Sequence, residues 1–151
     1  MTLFLQPMTP IEISIWNQRI WELYRSELME SGVSDAHAAR ETNLTKDSTF
    51  SNGVLAEGNF LLSVMAEGEN VGNVWLVEKG EDWFIFDIEI IEARRGEGLG
   101  RKTMHSIEEF VREREGVSIK LSVFEFNQIA KKLYKSEGFA TVRTSMKKNL
   151  G

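Results

Sequence analysis

The stretch Arg95-Gly96-Glu97-Gly98-Leu99-Gly100-Arg101 is the part of this chain best equipped for chemistry. It lies between a run that reads as a strand and one that reads as a helix. A helix start offers unpaired backbone N–H groups and the positive end of the dipole. Glycines let that backbone approach a bulky anion closely. A phosphate or pyrophosphate is the natural guest, with Arg95 or Arg101 adding charge. A glycine-rich turn that merely starts a helix has the same local look, so the surroundings must decide. A Walker loop requires Lys and then Ser or Thr after its last glycine. Here Arg101-Lys102-Thr103 follows Gly100, and the glycine spacing differs. A dinucleotide fingerprint requires G-x-G-x-x-G early in a βαβ unit. Here Gly96, Gly98 and Gly100 alternate, late in the chain.

The elements that must hold this stretch can be read from periodicity. Leu3 to Met8 reads as a strand. Thr9-Pro10-Ile11-Glu12 opens a helix through a capping box, with proline in the first turn. Ile13, Trp16, Ile20, Leu23, Tyr24 and Leu28 recur at helical spacing, and Gly32 ends the run. Ser34 can cap a second helix toward Phe50, and Asp47 to Gly58 reads as a loop. Phe60–Met65, Val71–Val77 and Trp83–Ile91 read as three strands, with short turns that favour antiparallel pairing. After the glycines comes a helix burying Leu99, Met104, Ile107, Phe110 and Val111, stopped at Gly116. Ser118 to Phe124 reads as a strand reached by a parallel crossover. Asn127 to Glu137 reads as a helix burying Ile129, Ala130 and Leu133. Phe139 to Lys147 is expected to hold one or two terminal strands. The order predicts an α/β fold with a mixed sheet and helices on it.

Bulk properties narrow the classes. The chain has 151 residues, a length suited to one domain spanning 1–151. It has no cysteine, which removes disulfides, thiolate metal sites and a cysteine nucleophile. His37 and His105 lack partners at metal-ligand spacing and read as helix-surface residues, so no metal is expected. The net charge of −5 disfavours non-specific nucleic-acid binding. Met1-Thr-Leu-Phe-Leu-Gln-Pro7 lacks the basic and small-residue features of a signal peptide, and no apolar run is long enough for a bilayer. A cytoplasmic protein with no membrane partner is expected. The sequence leaves a homodimer open.

Two signatures resemble those of the GNAT acetyltransferases. Arg95-x-x-Gly98-x-Gly100 matches the family's R/Q-x-x-G-x-G/A pattern and follows the strand Asp87-Ile88-Glu89-Ile90. Leu121-Ser122-Val123, Asn127, Ala130, Tyr134 and Gly138-Phe139 match its second signature, in order and spacing. The likeness is specific over roughly residues 83 to 148. It looks closest to bacterial members with an F-x-x-N segment, here Phe124-Glu125-Phe126-Asn127. The resemblance implies the GNAT fold, a central twisted mixed sheet flanked by helices, with acetyl-CoA as cosubstrate and an amine acceptor. It implies that backbone groups of Ile88, Glu89 and Ile90 pair with the pantetheine arm. The backbone from Gly96 through Gly98, Leu99 and Gly100 to Arg101 would hold the pyrophosphate beside Arg95. Asn127 would touch the CoA arm, and Tyr134 would act as general acid at the sulfur. Many members carry a glutamate near the position of Ser122 that helps deprotonate the amine, and Glu92 stands where members often have proline.

The proton chemistry is consistent with these roles. Expelling a thiolate, whose conjugate thiol has a pKa of roughly 8.5, is helped by a tyrosine still protonated at neutral pH. An alkyl ammonium, at roughly 10.4, must lose its proton before it attacks. Asp87 and Glu89 share a face in a regular strand and are candidate bases, although a bulge would alter that, and a water relay serves equally. Trp16, Tyr24 and Glu27 on the first helix are candidates to line the acceptor pocket, though aromatics at helical spacing are usually core. Transfer would be direct, in a ternary complex. The rival readings are a protein or peptide acetyltransferase and a non-catalytic acyl-CoA-binding regulatory module.

Overall fold

The computed structural model describes residues 2 to 151, so Met1, the first residue of the segment read above as no leader, lies outside the described residues. Strand β1 (Leu3–Pro7) leads into helix α1 (Pro10–Glu30). The capping box forms as expected: Glu12 N–H donates to Thr9 Oγ1 at 3.2 Å, and Thr9 N–H donates to Glu12 Oε1 at 2.9 Å. The other Glu12 oxygen accepts from Ser63 at 2.9 Å and Asn70 at 2.7 Å, tying the start of the helix to the sheet. Helix α2 (Asp35–Thr49) is capped by Ser34. The expected loop from Asp47 is partly structured instead. Helix α2 continues to Thr49, and β2 (Phe50–Ser51) and β3 (Val54–Leu55) form a two-residue hairpin. The turn between them, Asn52-Gly53, has both residues at positive φ, the conformation tight hairpins require.

Strands β4 (Asn59–Ala66), β5 (Glu69–Lys79) and β6 (Asp82–Ile90) form the expected antiparallel meander. Helix α3 (Leu99–Glu113) crosses to β7 (Ser118–Leu121), which pairs parallel to β6. The main sheet runs β1-β4-β5-β6-β7. A β-bulge between β5 and β6 shapes everything that follows. Trp75 pairs with Asp87 and Leu76 with Ile85, so Phe86 is an extra residue. Parity along β6 flips there. Trp83 and Ile85 face the same core as Ile88 and Ile90, while Asp87 and Glu89 turn to the opposite face.

Each face of the sheet has its own core. One, under α3, gathers Leu62, Val64, Val74, Leu76, Trp83, Leu99, Met104, Ile107 and Val111. The other, under α1, is aromatic and centres on Trp16, Trp21 and Trp75 with Ile20, Leu61 and Met8. Trp16 meets Trp75 edge-on with ring centroids 5.4 Å apart.

Three expectations fail toward the end of the chain. The strand ends at Leu121, not Phe124. Helix α4 (Gln128–Ser136) forms, but Ile129 is 87% exposed where burial was expected, and no residue of α4 is fully buried. No terminal strand follows; residues 139 to 151 adopt no regular element. The last two are connected. Beyond β7 no further strand extends the sheet under α4, so its first turn has nothing to pack on. Only Tyr134 and the following Phe139 reach the core.

Candidate active site

The cleft is created where two parallel strands part company. Strands β6 and β7 pair only from Asp82–Ser118 to Ile85–Leu121. Beyond Ile85, β6 continues to Ile90 with β5 as its only paired neighbour, so Ile88 to Ile90 present an open backbone edge. The Ile90 carbonyl on this stretch accepts from Arg95 Nε at 2.9 Å. Gly72 pairs with Ile90 across β5, and a Cβ there would collide with the Glu89 carbonyl. The strand that lines the cleft is therefore held by an unusually close neighbour.

At the end of that edge lies the glycine loop. Gly96 (φ 81) and Gly98 (φ 77) both take the left-handed conformation, which glycine adopts without strain. Gly98 is the N-cap of α3 and contributes no side chain to close it. Lys102 N–H is the first in the helix to find a backbone acceptor, Gly98 O at 3.2 Å. Among the described residues, the N–H groups of Gly96 through Arg101 donate to no protein acceptor. A Cβ at Gly96 or Gly98 would point into open space. The residues present thus fit a pyrophosphate: unpaired donors, a helix N-terminus and room for the guest.

The arginines do something different from what the sequence suggests. Arg101 turns its guanidinium to Glu137 and Ser136 at the end of α4, where His105 also meets Glu137 at 2.9 Å. Its side chain joins α3 to α4, while its backbone stays in the cradle. Arg94 is bound to Glu97 and Glu69. Arg95, exposed, lies 3.9 Å from Glu89. Asn127 is the N-cap of α4, its side-chain oxygen accepting from Ala130 N–H at 3.1 Å, and this leaves its amide donors free.

Tyr134, half-buried, packs edge-on against Phe139 at 5.7 Å. Its hydroxyl makes no hydrogen bond among the described residues. Burial, and then the charge of Asp87, push its pKa above the usual tyrosine range. Asp87 therefore senses the hydroxyl although the two groups approach from opposite faces of the sheet. Asp87 lies on β6 beyond Ile85, where the pairing with β7 has ended.

Asp87 itself is pushed up to about 7. Burial is the main cause, followed by the charges of Glu89 and Glu27; Arg19 and the Trp16 indole oppose the shift. With its amide oriented to satisfy both neighbours, Asn73 donates to Asp87 Oδ2 at 3.0 Å and accepts from Arg19 Nη2 at 3.0 Å. Arg19 also donates to Glu89 at 3.2 Å. Trp16 is 2% exposed, so its ring belongs to the core and lines no open pocket. Its buried indole N–H has no hydrogen-bond partner, yet lies near enough to Asp87 to favour the carboxylate. Tyr24 is half-buried, and its hydroxyl accepts from Thr45 at 3.4 Å, joining α1 to α2. Glu27 faces the cluster; burial, then Glu30 and Glu89, raise its pKa.

Sequence reasoning missed Arg19 and Asn73. Arg19 lies three residues after Trp16 and eight before Glu27, on the same face of α1, and that spacing was a usable signal. Asn73 carried none, because its role follows from strand register.

A fold with two splayed parallel strands, a glycine-led helix at their mouth and these two signatures defines a class of acyl-transferring enzyme. The sequence profile of the Acetyltransferase (GNAT) family matches residues 17–139, and the chain belongs to that family. It is similar to the uncharacterized N-acetyltransferase YdgE of Bacillus subtilis, at 24% identity over 99% of both chains. A second relative from that organism, the uncharacterized N-acetyltransferase YycN, is 27% identical over 99% of this chain and 100% of its own length. The crystal structure of YycN superposes with a TM-score of 0.89 at 25% identity, covering 99% of each chain. The fold is also shared with the PaiA N-acetyltransferase of Thermoplasma acidophilum in complex with coenzyme A (TM-score 0.62, 12% identity, 96% of this chain and 94% of that one). The protein is accordingly an acetyltransferase with a mixed α/β fold.

Proposed function

We propose that this protein transfers the acetyl group of acetyl-CoA to a primary amine by direct attack in a ternary complex. The observation that carries the reading is the row of unpaired N–H groups from Gly96 to Arg101 at the start of α3, at the end of the open stretch of β6 that also bears Asp87. Acetyl-CoA supplies an activated acyl carbon and a thiolate leaving group. The Gly96–Arg101 backbone holds the pyrophosphate, and the open edge at Ile88, Glu89 and Ile90 guides the arm, with the free amide donors of Asn127 on the opposite wall. Asp87, near 7, is ionised often enough at neutral pH to accept the ammonium proton, directly or through one water. Tyr134, kept protonated, donates to the departing sulfur. The ammonium nitrogen loses two protons on its way to the amide: Asp87 accepts one before attack, and the other leaves to solvent water as the C–N bond forms, while the C–S bond breaks and the departing sulfur takes the Tyr134 proton. Proton transfer from Asp87 back to the phenolate, through water, resets the site.

The acceptor side is acidic. Glu27, Asp87 and Glu89 gather there against Arg19, with Arg95 reaching Glu89 at 3.9 Å. This favours an acceptor that is itself positively charged, and the cytoplasm is the compartment where acetyl-CoA would meet it.

The test has two stages. Coenzyme A in hundredfold excess over its dissociation constant should stabilise the protein by about 2.7 kcal/mol. Gly98→Val should remove that shift. Valine at a positive φ costs about 1 to 2 kcal/mol, yet its side chain meets no neighbour, so the variant should still fold. Acetyl-CoA turnover is then measured against polyamines, amino acids, aminoglycosides and lysine peptides. A flat thermal shift at millimolar CoA refutes the proposal; binding without turnover on any amine leaves an acyl-CoA-binding module in its place.

A further inference from the structure

Helix α4 carries two residues of the proposed site, Asn127 at its cap and Tyr134 toward its end, and no residue of it is fully buried. Its apolar anchors are Tyr134, which packs on Phe139 and the α3 core, and Leu133, whose Cδ2 would lie 3.5 Å from a Cβ at Gly100. Apolar contact is non-directional and does not set register by itself. Among the described residues, the backbone of 123–139 bonds only within its own segment. The side-chain bonds of Asn127, Gln128 and Lys131 are equally local. The hydrogen bonds that join this segment to the rest of the molecule all end at Ser136 and Glu137. Arg101 donates to Glu137 Oε1 and, at 3.1 Å, to Ser136 Oγ, and His105 Nε2 meets Glu137 Oε2 at 2.9 Å. The Glu137 side chain is 8% exposed, with each oxygen held by a different residue of α3.

We infer that Glu137 is a positioning residue for the transfer: gripped by Arg101 and His105, it sets α4 against α3 and so holds the Tyr134 hydroxyl in place relative to the glycine loop. The inference rests on the reading of Tyr134 as the general acid. Helix α4 does not need this carboxylate for itself. Glu137 is its C-cap, where the helix dipole disfavours a negative charge, and covering a carboxylate is costly unless it is paired. What the carboxylate does instead is reach α3 at the residue where the loop ends. Arg101 contributes its backbone to the loop and its guanidinium to Glu137. Glu137 in turn follows Tyr134 by one helical turn, on the same side of α4. A short path thus runs from the loop backbone through Arg101 and Glu137 to the phenol. Its bonds are charge-assisted and directional, which the apolar contacts of α4 are not. Such precision matters for transfer, because a misplacement of about 1 Å can cost on the order of a hundredfold in rate.

The test is a double-mutant cycle on kcat, with the amine that turns over best and a CoA dissociation constant for every variant. Glu137→Gln keeps the shape of the side chain and removes its charge. It should lower kcat about 10- to 100-fold. It should weaken CoA binding by less than about threefold, because the loop that holds the pyrophosphate belongs to α3. Arg101→Gln breaks the same tie from the other side and should follow it. In the Tyr134→Phe background, Glu137→Gln should change kcat by less than about twofold, since no hydroxyl is left to misplace. Losses that multiply instead would show that Glu137 supports the fold at large, and would overturn the inference. A normal kcat in Glu137→Gln overturns it as well, and with Tyr134→Phe impaired it leaves the acid reading intact. If Tyr134→Phe itself keeps the wild-type rate, the acid reading fails and the inference falls with it. Circular dichroism and thermal melts establish that each variant is folded. Should Glu137→Gln not fold, Arg101→Gln with and without Tyr134→Phe gives the same comparison.

Discussion

At the scale of single residues, the proposed mechanism turns on two proton positions. Tyr134→Phe keeps the ring and its packing on Phe139, so it isolates the hydroxyl. It should lower kcat by 10²- to 10⁴-fold, about 3 to 5 kcal/mol in the barrier, and leave the CoA dissociation constant nearly unchanged. Retention of more than about a third of kcat would remove the acid role, since packing alone predicts that result. Asp87→Asn should lower kcat on a comparable scale, and the wild-type acid limb of kcat/KM should fall near pH 7, where Asp87 titrates. The same group makes a prediction about stability. Its folded pKa, about 7, lies above an unfolded value near 4, so the folded state holds the extra proton between them. Stability from this group is full below pH 4 and is lost as the pH rises through 7. Asp87→Asn should therefore match the wild type near pH 4 and exceed it at pH 8, by roughly 1 to 4 kcal/mol. Chemical denaturation at the two pH values reads the difference, and a constant offset at both would show that the carboxyl is not titrating in the fold.

At the scale of elements, the bulge in β6 is what makes two carboxylates and two core isoleucines compatible on one short strand. If β6 ran regularly through Phe86 with no bulge, Asp87 and Glu89 would share a face with Trp83 and Ile85 and be driven into the core of Leu62 and Met104. Gly72 lies opposite this stretch, where backbone approaches backbone. Gly72→Ala sets a methyl against the Glu89 carbonyl, which cannot yield as a flexible side chain would. We expect a loss of roughly 2 kcal/mol or more, in the range of overpacked or strained positions, together with weakened CoA binding as β6 is displaced. Thermal melts with and without CoA measure both; an unchanged ligand shift would show that the edge tolerates the displacement.

At the scale of the whole molecule, one sheet serves two cores, so neither face can unfold without exposing the other. Trp83 reports the α3 side; Trp16, Trp21 and Trp75 report the α1 side. Trp83→Phe leaves only the α1 reporters and also removes a buried indole N–H without a partner. We expect it to cost little. Its fluorescence transition in urea should coincide with the loss of far-UV ellipticity, as a two-state chain requires. Separated midpoints would mean that the α1–α2 layer detaches first.

The sequence by itself determined the elements whose signals are local. The capping box at Thr9, the Ser34 cap, the meander turns and the glycine-led start of α3 all lie within a few residues of what they specify. The two GNAT signatures are short for the same reason, and they point to the glycine loop proposed to hold the pyrophosphate. Tertiary structure alone decided where β7 stops pairing with β6, and with that the cleft itself. It decided that Arg101 joins α3 to α4 rather than adding its charge to the cradle. It put Trp16 in the core with only its N–H near Asp87, and brought Arg19 and Asn73 to the same carboxylates. It also left Ile129 and the stretch after Gly138 uncovered, where periodicity promised a buried face and a strand. The reason is physical: apolar spacing states which side of an element should be covered, but whether anything lies there depends on residues far away in the chain.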